Sequence, residues 1–297
     1  MKVLYQIKMH IFYFIKKLIN KSQIIVIRSS IFPGTIEKVC KILKKKNNNI
    51  VYCPERIVQG KLIEELPKLP QIIAGYNKSS INTTKKLFKK ITPKIIVTTV
   101  LEAELIKLFS NANRYINFSI ANQLYMICKS NNLDFVKVRK IMRDGYERNT
   151  NLPTAGFTAG PCLLKDTMQL SSFYKNQFSL GYAAMQINEN IPKFLINDLK
   201  KKFNLKKKII GILGLSFKAE TDDIRDSLSI KLLNYLKKIK IKTLQSDEYY
   251  KNKNNVKKEH LIKNSDIIII AAPHTNYKKI IFPKNKIVVD IWGINNV

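Results

Sequence analysis

The residues best placed to do chemistry lie between 156 and 170, in GFTAGPCLLKDTMQL. Cys162 follows two glycines and a proline, so its loop ends on a turn that brings backbone N–H groups close to a bound group. Lys165 and Asp166 come three and four residues later. With a helix starting at or just after Cys162, i,i+3 and i,i+4 spacing puts both on the side of the sulfur. A helix N-terminus and a neighbouring ammonium each favour the thiolate form of a cysteine. The segment therefore reads as a covalent nucleophile with an acid–base group beside it. The competing reading is a buried cysteine at a helix start, because free cysteine also serves as a small core hydrophobe.

Three further stretches carry paired polar groups. Glu55, in Cys53-Pro54-Glu55-Arg56, offers a carboxylate either to acid–base work or to the capping of its own turn. Lys107 and Asn111 stand i,i+4 on the helix EAELIKLFSN and face one way, as a binding pair or as a lysine snorkelling beside a surface amide. Lys218 and Arg225 flank Thr221-Asp222-Asp223, either as anion contacts or as a surface turn with local ion pairs. Gly211-x-x-Gly214 is similar to a phosphate loop but lacks the G-x-G-x-x-G spacing, which makes it a weak cofactor site.

Taken in order, CPER with Gly60, EAELIKLFSN, GPCLLKD and GLSFKAETDDIRDS resemble the UDP-glucose/GDP-mannose dehydrogenase family over nearly the whole chain from about Ile24 onward. Arg56 and Gln59, standing where the plain UDP-glucose branch has Phe and a second Glu, look like the branch acting on UDP-N-acetyl sugars. The resemblance implies NAD-dependent oxidation of a sugar CH2OH to a carboxylate, with NAD as cofactor and a UDP-N-acetyl sugar as substrate. It implies Cys162 as nucleophile, Lys107 and Asn111 at the C6 oxygen, Asp166 or Glu55 as base, and Ser30 near the catalytic water and nicotinamide. Arg56, Ile57, Arg148, Phe157 and Lys218 would lie along the substrate, and Ser30, Gln59, Lys165 and Arg225 along the cofactor. Family members begin with a glycine-rich βαβ unit, whereas no glycine precedes Gln23 here. By resemblance about ninety to one hundred residues, a domain's worth, are unrepresented. The expectation is a first domain with open edges, poor solubility and weak NAD affinity. A truncated, inactive nucleotide-sugar-binding or dimer-forming remnant is the alternative reading.

The elements that must position these residues read as α/β: two Rossmann-like doubly wound sheets, the first truncated, joined by a long central helical dimerisation region. Residues 1–21 form an amphipathic helix with Ile11, Phe14, Ile15 and Leu18 on one stripe. Gln23 to Ser29 is a continuous apolar run, as expected of a buried parallel strand. A helix from Ile36 to Lys45, a loop at Asn47-Asn48-Asn49 and a strand from Ile50 to Cys53 follow. Leu105, Leu108, Ala112, Tyr115, Ile116, Ser119 and Ile120 set a helical stripe running towards Cys128. A helix from Phe178 to Pro192 and a basic linker from Lys200 to Lys208 lead to the last sheet. The expected division is 1–100, 101–200 and 201–297: the remainder of the NAD-binding domain, the central helical domain with the cysteine loop, and the UDP-sugar-binding domain.

Composition sets the outer bounds. Lys+Arg of 53 against Asp+Glu of 21 gives a net charge of +32, which invites a nucleic-acid reading. The lysines are spread along the chain, without aromatic interleaving, and fit a solvated face whose field attracts anionic nucleotides. Four cysteines with no C-x-x-C pair and three scattered histidines exclude a disulfide framework or a zinc site and fit a cytoplasmic protein. The greasy stretch 11–15 is bracketed by lysines and too short to span a membrane.

Overall fold

The computed structural model describes residues 2–44, 49–158 and 160–295, with backbone alone for residues 2–9. The expected loop at Asn47-Asn48 and the terminal Lys45 of the first crossover helix lie outside these. The chain forms two compact units, residues 1–112 with 166–178, and residues 113–165 with 179–297.

In the first unit, α1 (Lys2–Leu18) packs on α2 (Thr35–Leu43), and β1 (Ile25–Ile27) and β2 (Ile50–Tyr52) pair in parallel. After a short α3 (Leu62–Glu65), β3 (Gln71–Gly75) joins β2, and α4 (Lys78–Lys89) leads to β4 (Ile95–Val97). The sheet order is β1-β2-β3-β4. Strand alternation sorts the core: Ile50, Tyr52, Ile72 and Ala74 meet Ile36, Val39 and Leu43, while Val51, Cys53 and Ile73 meet Phe88 on the opposite face. The sheet is mixed, a direction the sequence reading left open, because β3 runs antiparallel to β2: the connection through α3 is a short return rather than a crossover. One expectation is corrected. On α1 Phe12 is buried and Ile15 half-buried beside it, with Ile19 packing just past the helix end, while Ile11, Phe14 and Leu18 remain exposed. The helix carries two apolar stripes, and contact with α2 selects one.

A 31-residue helix, α5 (Val100–Ser130), opens with a capping box: Thr99 Oγ1 accepts from Glu102 N, and the Glu102 carboxylate accepts from Thr99 N at 2.9 Å. The hydrogen bond from the Thr98 hydroxyl, then those from Thr99 N and the Thr99 hydroxyl, lower the Glu102 pKa to about 2. Next come α6 (Phe135–Arg143), α7 (Leu163–Phe173) and α8 (Ser179–Lys202). The helix expected to end at Pro192 runs ten residues further. A proline cannot donate to the carbonyl four residues back, yet Ile191, Leu195, Ile196 and Leu199 continue one buried stripe, and packing outweighs the lost bond. Lys200 to Lys202 are thus the last turn of α8 rather than a linker, a position where cations complement the helix dipole.

The second unit's sheet is all parallel, in the order β6-β5-β7-β8: β5 (Ile209–Leu213), β6 (Lys242–Ser246), β7 (Ile267–Ile270) and β8 (Ile287–Asp290). Helices α9 (Leu228–Lys238) and α10 (Lys258–Asn264) cover its opposite faces, Leu232 and Leu236 with Ile210 and Ile212, Leu261 with Leu213 and Ile268. No helix among the described residues is long and apolar enough to cross a membrane.

Candidate active site

In the first unit the centre is Asp166, in the first turn of α7 and fully buried. Its Oδ2 accepts from Asn111 Nδ2 at 2.6 Å and from Ser30 Oγ at 3.3 Å. Ser30 lies just beyond the carboxyl end of β1, the end where open α/β sheets bind ligands, and Asn111 comes from α5. An edge-on contact between Phe32 and Phe173, 6.1 Å between centroids, fixes the same loop to α7. Three residues read separately from sequence are therefore one hydrogen-bonded group. Lys107, one turn before Asn111, is half-buried. The missed partner here is Glu104. Its buried carboxylate accepts from Gly34 N at 2.6 Å and Ile36 N at 2.9 Å, closing the start of α2. Burial raises its pKa against those bonds.

Glu55 is placed differently from a free base. Its Oε1 accepts from Arg56 N at 2.7 Å and Ile57 N at 2.8 Å, and its Oε2 pairs with Arg28. It caps its own turn, and Arg28, over the Phe88 ring, holds it there. Arg56 donates to the Pro70 carbonyl at 2.5 Å, Val58 N donates to Glu65, and Gln59 lies exposed beside Gly60. Burial raises the Cys53 thiol in the preceding strand end to about 12, so it is inert core.

In the second unit Cys162 immediately precedes α7 and is exposed, unlike Cys40, Cys53 and Cys128. The buried-cysteine reading falls. Its loop is anchored at Gly156, whose N–H donates to Asn122 Oδ1 at 2.8 Å. Asn122 donates in turn to Asn188 Oδ1 at 2.8 Å, and Asn188 to the Tyr115 carbonyl at 3.1 Å. Neither asparagine was singled out from sequence. Glycine is required at 156 because a Cβ there would stand 2.3 Å from the Trp292 ring. Phe157 is core, so its side chain is not available to line an open site and only its backbone can meet a ligand. Lys165 is half-buried. Arg148 is exposed in a 3-10 turn, its guanidinium over the Tyr146 ring.

Lys218 sits half-buried on the loop after β5. Arg225 holds both oxygens of Asp223 at 2.6–3.1 Å. Its pKa is raised, first by the hydrogen bonds it donates to Asp223 and by that carboxylate's charge. The glycines at 211 and 214 serve packing: a Cβ at 211 would meet Ser265 and Leu261 at 2.4–2.5 Å, and one at 214 would meet Ala272 at 2.5 Å.

For NAD, the set expected at the nicotinamide end (Ser30, Gln59, Lys165, Arg225) fits in residue type, being donors and cations suited to an anionic dinucleotide.

Residues 6–92, 101–190 and 211–296 match, respectively, the NAD binding, central and UDP binding domains of the UDP-glucose/GDP-mannose dehydrogenase family. The match to the first of these begins earlier than the motifs suggested. The chain is 30% identical to a UDP-N-acetyl-D-mannosamine dehydrogenase of Methanococcus maripaludis, over 93% of this chain and 67% of that protein. It is 26% identical to that of Pyrococcus horikoshii, over 93% and 70%. The solved structure of the Pyrococcus horikoshii enzyme superposes with a TM-score of 0.81 at 26% identity, covering 91% of this chain and 67% of that one. The UDP-N-acetyl-mannosamine dehydrogenase of Staphylococcus aureus superposes with 0.86, covering 98% and 73%, and at 24% identity shows the shared fold. Three consecutive domain matches and these relatives place the chain in the UDP-glucose/GDP-mannose dehydrogenase family of NAD-dependent nucleotide-sugar oxidoreductases.

Proposed function

We propose that this chain oxidises C6 of a UDP-N-acetyl-hexosamine, UDP-N-acetylmannosamine or UDP-N-acetylglucosamine, to the uronic acid, for surface polysaccharide precursors. The observation that carries this is the buried Asp166 bonded to Ser30 and Asn111, in the first turn of a helix that an exposed Cys162 precedes. NAD, when bound, supplies the two-electron acceptor for each of two oxidations, and Ser30, Gln59, Lys165 and Arg225 would hold it. In the first, the C6 hydroxyl loses a proton and the C6–H bond gives up a hydride, leaving an aldehyde. Cys162 then adds through sulfur to C6, keeping the aldehyde covalently held as a thiohemiacetal, which the second oxidation converts to a thioester. Water adds, the C–S bond breaks, and the acid leaves as the thiolate is restored.

Lys107 steadies negative charge on the C6 oxygen and Asn111 donates to it. Of the two candidate bases, Asp166 is favoured because its carboxylate already bonds the Ser30 hydroxyl expected at the water, whereas Glu55 is held by Arg28 and its own turn. Arg56, Ile57, Arg148, Phe157 and Lys218 line the nucleotide-sugar, Phe157 through its backbone. The division at residues 100 and 200, a cytoplasmic location, and a homodimer built on the exposed face of α5 complete the reading. The alternative reading is a catalytically inactive chain that binds the nucleotide-sugar or forms dimers.

Purified protein with NAD and UDP-N-acetylmannosamine decides between them. NADH formed by the native chain, absent in Cys162→Ala and reduced about a hundredfold or more in Asp166→Asn, supports the dehydrogenase. No NADH but calorimetric binding of the UDP-sugar supports the second reading. Neither turnover nor binding defeats both.

A further inference from the structure

Two fully buried side chains in the C-terminal sheet, Asp247 and His274, take no part in the scheme above. Both lie just beyond carboxyl ends of strands, Asp247 after β6 and His274 four residues past β7. Asp247 Oδ2 accepts from Leu215 N at 2.5 Å and Ser216 N at 3.2 Å, and its Oδ1 accepts from Tyr249 N and Tyr250 N, each at 2.8 Å. His274 Nδ1 accepts from the backbone N–H of Glu220 at 3.0 Å. That bond places the proton of a neutral ring on Nε2, 3.3 Å from both Asp247 Oδ2 and Ser216 Oγ. The Ser216 hydroxyl donates to the Lys218 carbonyl at 2.9 Å and can therefore accept from the ring.

The arrangement is not a nucleophile relay, because serine and aspartate meet the same ring nitrogen. The bonds from Leu215 N, Ser216 N, Ser216 Oγ and Glu220 N instead all involve the loop that carries Lys218, while those from Tyr249 N and Tyr250 N fix Asp247 in its own turn. Leu215, Ser216, Lys218 and Glu220 are tied, directly or through one hydroxyl, to two side chains that reach them from other strands. Glu220, at φ +56, doubles the attachment: its carboxylate accepts from Thr275 N at 2.9 Å and Thr275 Oγ1 at 3.1 Å. The imidazole is held between Tyr249 and Tyr277, with centroids 4.9 and 5.2 Å away.

We infer that His274, backed by Asp247, is a positioning residue that fixes the loop from Leu215 to Glu220 so that Lys218 is presented to a nucleoside diphosphate. This rests on reading Lys218 as a contact of the UDP group. The ring works as a spacer with one acceptor and one donor, a pairing that phenylalanine of similar shape lacks and that asparagine keeps on the Nδ1 side.

Calorimetry with UDP as the probe, on the full chain, tests the inference with His274→Phe, His274→Asn, Glu220→Ala, Lys218→Ala and the Lys218→Ala/His274→Phe double variant. His274→Phe is expected to weaken UDP binding at least about tenfold, His274→Asn and the surface variant Glu220→Ala less. If His274 acts through Lys218, its substitution adds little once Lys218 is gone, whereas a general loss of folding adds in full. Amide hydrogen exchange over residues 215–220 reads the loop without any ligand, and should speed in His274→Phe while the rest of the sheet stays protected. Native UDP affinity and native exchange in His274→Phe, or fully additive losses in the double variant, would overturn the inference. If the native chain does not bind UDP at all, the Lys218 reading fails, and the exchange data alone decide whether His274 holds the loop.

Discussion

Asp247 shows how one buried carboxylate records the order around it. Burial by itself would raise its pKa, but the hydrogen bond from His274 and the N–H groups of Leu215, Tyr250 and Tyr249 outweigh this and lower it to about 2. A carboxyl with a depressed native pKa contributes stability that is fully present above its unfolded value, near 3.8, and is lost as pH falls through about 2. The shift corresponds to about 2 kcal/mol. Asp247→Asn should therefore be less stable than the native chain at pH 7, with the gap narrowing by that amount between pH 4 and 2 in denaturant titrations. A gap that stays constant across that range would mean that the carboxylate is not held in this way. Residues of this kind were not legible in the sequence. Asp247 meets loop residues 31 and 32 positions away and His274 at 27, and Glu104 closes a helix 68 to 70 positions upstream. A cysteine at a helix start was legible because a glycine–proline turn and a helix start are local; that Asp166 would be fully buried and bonded to Ser30 and Asn111 was not.

At the scale of elements, periodicity located the strands and helices, and tertiary packing set where they end. Pro192 marks a helix end by propensity, but the buried stripe of α8 continues through it to Leu199. The antiparallel β3 lay beyond local reading as well, since the hydrophobic pattern of a strand buried on both faces is the same in either direction. Helices α5 and α8 are joined by the Asn122–Asn188 pair, two amides with no exposure that also hold Gly156 at the root of the cysteine loop. Removing one partner strands buried donors and acceptors, which costs about 1–3 kcal/mol per unsatisfied group. Asn122→Ala is expected to lower stability by about 2–3 kcal/mol, and Asn188→Ala to do much of the same damage, so that the double variant falls well short of the sum. Urea midpoints of the three variants measure this, and simple additivity would show that the two amides act apart.

For the whole molecule, a net charge of +32 and an uncovered apolar stripe on α1 pull in opposite directions. Ile11, Phe14 and Leu18 are 52%, 62% and 67% exposed at i, i+3, i+7 spacing, which aligns them along one face of the helix. Between two copies of the chain, like charge keeps such stripes apart over roughly a Debye length, about 10 Å at 0.1 M salt and 3 Å at 1 M. Raising ionic strength removes the repulsion and leaves apolar attraction, worth roughly 25 cal/mol per Å² buried, unopposed. Self-association should therefore grow with salt, the reverse of an assembly held by ion pairs. Light scattering across a sodium chloride series would show mass rising between 0.1 and 1 M for the native chain. Phe14→Ser with Leu18→Ser, which changes no charge and touches neither Phe12 nor Ile15, should hold the mass constant over the same range. If the double variant associates as strongly as the native chain, another surface is responsible, and the exposed Ile96 and Val97 of the β4 edge are next in line.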